Sequence, residues 1–156
     1  VLFDKDIKIV MYKTIEDILI EFITERYNLY ILRKRKLVNI KHQELIYIAN
    51  KCNFINAIIE NKLEINKMKY QDVINYLIEN EYVKKNDSYD YLTDIPIRYQ
   101  TKEYHQKLID LFNLKKDELL KLKKTPIEQI WMNELDVLLN YLLKQDEKKK
   151  KVFTVM

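Results

Sequence analysis

The sequence contains no glycine and only two prolines among its 156 residues. Glycine is the residue that most readily adopts positive φ, so a chain without it is expected to contain few tight turns and to favour long uninterrupted elements. The absence of glycine also excludes a glycine-rich phosphate-binding loop. The composition therefore predicts a mainly helical protein.

The single cysteine, Cys52, cannot form a disulfide within the chain. Its neighbours Phe54 and Ile55 indicate a packed core thiol rather than a nucleophile. There is no run of about 18 apolar residues and no signal-like segment, so we expect neither a membrane span nor secretion, and an intracellular location. The chain starts at Val1 within a strand-like pattern, so we expect it to be a piece of a larger protein.

Hydrophobic residues make up 47% of the chain, which is enough for at least one core in a single domain or elongated module. The charge is mixed, with 28 basic and 24 acidic residues and a net charge of +4. Such a surface permits DNA contact without requiring it.

The first half of the sequence predicts a hairpin followed by one long helix. Residues 1–12 alternate around a polar turn, as in two short strands. Thr14 and Asp17 have capping-box spacing, and an apolar pattern with steps of three and four then continues from Ile15 to about Ala49. A helix of this length would be roughly 50 Å long, which suggests an extended arm.

Shorter elements are predicted in the middle of the chain. Residues 54–59 are interpreted as a short helix after a bend, and residues 70–77 as an amphipathic helix. A polar loop follows at 84–88. Because Ile95 precedes a proline, residues 91–98 are predicted to be extended.

The last part of the sequence predicts two further helices. One begins at Thr101, and the next begins at Thr125-Pro126, which has capping-box form with proline at the first helical position. The predicted fold is mainly α: a long antiparallel coiled-coil arm, a small helical globular knob and a short N-terminal β-hairpin. The predicted segments are the hairpin, outgoing arm, knob, returning arm and basic tail, at 1–13, 14–52, 53–97, 98–145 and 146–156.

Several motifs resemble, in the right order, the eukaryotic and viral type IIA DNA topoisomerases. The sequence Tyr89-Asp90-Tyr91-Leu92, then Ile95-Pro96-Ile97 and Thr101-Lys102-Glu103, is similar to one stretch of that family. Later matches are Thr125-Pro126, Ile130-Trp131 and Glu134-Leu135-Asp136. Upstream, residues 14–19 and 33–36 resemble the entry into the family's coiled-coil arm. Departures are Thr93, Gln100 and a first hairpin turn without glycine.

The resemblance implies a homodimeric enzyme that cuts one DNA duplex, passes a second duplex through it using ATP, and uses Mg²⁺. This segment would be the arm and exit gate of the breakage-reunion core, through which the second duplex leaves. It would bind no cofactor itself and would carry no catalytic residue. The partners would be a second copy and double-stranded DNA, without a membrane. The location would be the nucleus in a eukaryote, or the host cell or virion for a virus.

Two sets of residues are candidates for contacts in such a gate. Exposed apolar residues of the knob are predicted to pair across a two-fold axis: Ile58, Ile59, Tyr76, Leu77, Tyr89 and Tyr91. The basic residues that could face DNA are Arg33, Lys34, Arg35 and Lys36, although a solvated helix face is the simpler interpretation.

Other chemistry is expected to be incidental. The family's nucleophile is a tyrosine beside an arginine, but the pairs Arg26-Tyr27 and Arg98-Tyr99 do not occupy its position. His42 and His105 lack partners at metal-ligand spacing. Alternatives to the gate are a non-catalytic dimerisation or scaffold module, a helical DNA-binding domain and, as a third class, an independent tyrosine enzyme.

Overall fold

The computed structural model describes residues 1–4 and 6–154, with side chains as far as residue 147. The predicted fold class, mainly α with an N-terminal hairpin, is confirmed. The elements are β1 (Leu2–Phe3), β2 (Ile9–Val10), α1 (Ile15–Ile59), α2 (Tyr70–Glu79), α3 (Asp90–Thr93), α4 (Lys102–Lys124) and α5 (Ile127–Thr154). The chain divides into two compact units, the first formed by residues 1–37 and 123–156 and the second by residues 38–122. Among the described residues, no helix is long and apolar enough to cross a membrane.

The N-terminal hairpin forms its turn without glycine. β1 and β2 are antiparallel, with Leu2 opposite Val10. Ile7 has a φ of 63° in the turn, a left-handed conformation that is unfavourable for a β-branched residue. The Asp4 carboxylate helps to hold this turn by accepting a hydrogen bond of 2.8 Å from the backbone N–H of Lys8.

Helix α1 begins as predicted but ends later. The Thr14 hydroxyl accepts a hydrogen bond from the backbone N–H of Asp17 (3.2 Å), and the Asp17 carboxylate accepts one from that of Thr14 (3.1 Å). This is a reciprocal cap. The predicted end near Ala49 and the predicted bend before Phe54 were wrong, because α1 continues to Ile59. The apolar cluster there is a buried face of the same helix.

Helices α1 and α2 are both followed by a residue in the left-handed conformation, Asn61 and Glu81, each with a φ of 56°. After α2, the N–H of Tyr82 donates to the carbonyl of Leu77 (3.0 Å), and that of Glu81 donates to the carbonyl of Ile78 (3.1 Å). This pair of bonds is the Schellman motif, which normally uses glycine. The chain therefore makes these helix ends with non-glycine residues.

The core of the second unit is assembled from α1, α2, α3 and the link after α1. Its largest fully buried side chains are Phe54, Ile55, Leu63, Leu77 and Leu92. The predicted helix at residues 70–77 is confirmed as α2. These contacts give residues 38–122 a compact core of their own.

The connector before α4 differs in part from its prediction. Asp90–Thr93 form a helical turn, and Ile97–Tyr99 form a 3₁₀ turn, so the predicted extended conformation of residues 91–98 was wrong for these stretches. Pro96 has a ψ of 145°, which confines the extended backbone to its immediate surroundings. The starts of α4 and α5 are confirmed within about one residue. Most of the predicted basic tail lies outside the residues with described side chains.

Candidate interaction surfaces

One face of α1 carries Tyr27, Tyr30 and Lys34, which are spaced by three and four residues and therefore point in a similar direction. The Tyr27 hydroxyl donates a hydrogen bond of 2.6 Å to Glu128 at the start of α5. The Tyr30 ring is buried and stacks on Trp131, with 5.4 Å between ring centroids. Together with Arg33, these α1 residues form what we term the α5-docking face.

The centre of the α5-docking face is an aromatic and ionic cluster. The Tyr30 hydroxyl donates to the Glu134 carboxylate, and Arg33 pairs with the same carboxylate at 2.7 Å. The guanidinium groups of Arg26 and Arg33 lie 5.2 and 5.5 Å from the centre of the Tyr30 ring. The hydrogen bond from Tyr30, followed by Arg33, lowers the pKa of Glu134, while the same bond raises the pKa of Tyr30. These shifts favour an ionised Glu134 and a neutral Tyr30.

The predicted basic run divides into engaged and exposed residues. Arg33 is engaged with Glu134, and the Lys34 ammonium donates to the backbone carbonyls of Lys123 (3.1 Å) and Thr125 (2.6 Å). Arg35 and Lys36 are exposed, and they form no ion pair within the part of the chain that the structure describes. Only the latter two side chains are therefore available without breaking a contact.

Two of the predicted gate residues are not exposed. Leu77 is fully buried and Tyr89 is 7% exposed, so the expectation that these two residues lie on the surface was wrong. Leu77 and Val73, one helical turn earlier, form the face of α2 that packs into the core. The Tyr89 hydroxyl donates to the carbonyl of Tyr82 at 3.1 Å, which satisfies its polar group inside the unit.

The other four gate candidates are half-buried: Ile58, Ile59, Tyr76 and Tyr91. The Tyr91 hydroxyl is fixed within the unit, because it donates to the carbonyl of Val83 (2.6 Å) and accepts from the Asn50 amide (2.8 Å). Contact of these residues with a second copy stays a prediction.

An exposed apolar surface on α2 was missed from the sequence. Tyr70 and Ile78 are 64% and 54% exposed, and the half-buried Ile74 lies between them at steps of four residues. We term Tyr70, Ile74 and Ile78 the outer α2 face. The helical spacing of these apolar residues was the signal that could have identified it. Ile97, in the connector, is 82% exposed.

The tyrosine and thiol groups lie in settings that do not activate them. Hydrogen bonding to Glu128 raises the pKa of Tyr27, which disfavours the phenolate that a nucleophile needs. The guanidinium of Arg98 lies 4.9 Å from the centre of the Tyr99 ring, so it contacts the ring face. Burial raises the pKa of the Cys52 thiol. Among the described residues, no group of three or more His, Cys, Asp or Glu side chains is placed to hold a metal ion.

Comparisons with known proteins agree on one family. A family model described as DNA gyrase/topoisomerase IV matches residues 1–136. DNA topoisomerase 2 of Acanthamoeba polyphaga mimivirus is 34% identical over 145 residues, covering 86% of this chain, and DNA topoisomerase 2 of Plasmodium falciparum is 28% identical over 169 residues, also covering 86%. The chain spans 12% of the length of each of these relatives.

A solved structure resembles almost the whole chain. The crystal structure of the Plasmodium falciparum topoisomerase II DNA-binding, cleavage and re-ligation domain matches with a TM-score of 0.82 and 28% sequence identity. The match covers 95% of this chain and 24% of the solved chain. Both units described above therefore have counterparts in that domain.

Proposed function

This chain belongs to the type IIA DNA topoisomerase family, and from that membership we propose that it forms the arm and exit gate of such an enzyme. Two copies would pair through the second unit, and a transported DNA duplex would leave between them when the pair opens. The chain would supply this mechanical part and no catalytic residue.

The observation that carries the self-pairing proposal is the outer α2 face. It places exposed apolar side chains on a unit that already has its own buried core, so these side chains are not needed to complete the fold. A two-fold interface uses the same patch on both partners, so a modest apolar surface is buried twice. A small apolar centre with a polar rim also suits an interface that must open.

Self-pairing is tested by measuring molar mass by light scattering over a concentration series of the chain. We expect the mass to rise from monomer to dimer, and Ile78→Lys to shift this transition to higher concentration. Asn75→Lys is the matched control, because it adds the same charge to another exposed position of α2. A mass that stays monomeric at every concentration, or equal effects of the two variants, would refute pairing through this face.

DNA contact is proposed for Arg35 and Lys36, since their charged groups are exposed. Each phosphate contact that is lost reduces the salt dependence of DNA affinity by about one unit of slope. We expect Arg35→Ala with Lys36→Ala to lower this slope for duplex DNA. Lys67→Ala with Lys69→Ala is the charge-matched control, and equal slopes for the two double variants would argue against the assignment.

For the parent protein we propose ATP-dependent passage of one DNA duplex through another, with ATP and Mg²⁺ bound outside the residues of this segment. The parent would act in the nucleus or, if viral, in the host cell or virion. Relaxation of supercoiled DNA by the full-length protein, with and without ATP, tests this activity. A scaffold module without enzymatic function would show self-association but no change in DNA topology.

A further inference from the structure

The junction between α4 and α5 is a point of low backbone connectivity. Pro126 has no N–H, so the hydrogen-bonding pattern of α4 cannot continue through it. The last carbonyls of any α-helix lack partners within the helix. The direction in which α5 leaves this junction therefore depends on contacts made by side chains.

Lys34 is placed to control this junction. Its ammonium donates to the carbonyls of Lys123, in the last turn of α4, and of Thr125, the residue before Pro126. A cation at a helix C-terminus is also favoured by the helix dipole. Lys34 lies near the first turn of α5 as well, since its charge contributes to the lowered pKa of Glu128, after the hydrogen bond from Tyr27.

The same junction already carries positive charge. Lys123 and Lys124 end α4, and Lys34 adds a third ammonium whose mutual repulsion must be offset by its hydrogen bonds. Lys34 is half-buried, so its contacts are more than a fully solvated surface pair but remain accessible to solvent. Such an interaction can be made and broken without unfolding the helices.

We propose that Lys34 is a latch for α5: its two hydrogen bonds hold the junction so that α5 lies on the α5-docking face. When the latch is released, the contact of Trp131 with Tyr30 opens while α1 and α5 stay helical. This device rests on contacts within residues 1–37 and 123–156, so it stands or falls separately from self-pairing and from the proposed gate.

The chain contains one tryptophan, so fluorescence quenching of Trp131 by acrylamide measures the opening directly. In Lys34→Met we expect the ratio of docked to open molecules to fall roughly five-fold, as for the loss of a charged hydrogen bond. Quenching should rise while the far-ultraviolet circular dichroism stays unchanged. Lys36→Met, which removes the same charge two residues away from an exposed position, should quench like the unmodified chain.

Equal quenching in Lys34→Met and Lys36→Met would overturn the proposal. If Lys34→Met instead loses helical signal, Lys34→Arg decides the matter, because it keeps the charge and most of the reach. Recovery of both helicity and low quenching in Lys34→Arg would support the latch. Loss of helicity in Lys34→Arg would overturn it, since the position would then be needed for packing.

Discussion

Replacing Glu81 by glycine is expected to stabilise the second unit. Glu81 has a φ of 56° at the end of α2, and its side chain is exposed. The left-handed conformation costs an L-amino acid roughly 1–2 kcal/mol, which glycine avoids. Glycine in turn loses about 0.5–1 kcal/mol more conformational entropy on folding. The net gain in free energy of unfolding should be about 0.5–1 kcal/mol.

Urea denaturation followed by circular dichroism measures this gain. Asn61→Gly, at the matching position after α1, should gain less, since asparagine tolerates positive φ better than glutamate does. Asn75→Gly, inside α2, should lose roughly 0.5–1 kcal/mol because the helix there needs no positive φ. If Glu81→Gly destabilises the chain as much as Asn75→Gly does, the argument from the left-handed conformation is refuted.

Two further predictions concern the core and the α5-docking face. Leu77→Ala should lower the free energy of unfolding by about 2–5 kcal/mol because it leaves a cavity, whereas Ile78→Ala should cost clearly less in urea denaturation; equal losses would contradict the assignment of the two faces of α2. The pKa of Glu134 is lowered from its usual 4.5, so its stabilisation is present above that pH and is lost as the pH falls through the lower folded-state pKa. The pKa of Tyr30 is raised above 10.0, so its contribution is present below pH 10.0 and is lost as the pH rises through the folded-state pKa. Trp131 fluorescence should change at both extremes, and Glu134→Gln should weaken the acid transition; an unaltered acid transition would show that other carboxylates cause it.

Local patterns predicted the helix starts well. The Thr14 and Asp17 cap depends on groups three residues apart, so it is visible in the sequence and is confirmed in the structure. The end of α1 was missed because the helix is sustained beyond Ala49 by packing of Phe54 in the core, a contact that no local pattern reveals. The burial of Leu77 and Tyr89 was missed for the same reason, since an apolar helix residue can face either its own core or a partner.

The sequence by itself determined the helical class, the capped helix starts and the family, because each depends on residue types at short spacing or on ordered motifs. The tertiary structure alone decided which face of α2 is buried and that Lys34 holds carbonyls at the α4–α5 junction, while Arg35 and Lys36 stay exposed. The physical reason is distance along the chain: Lys34 meets Thr125 across 91 residues, and only folding brings such groups together.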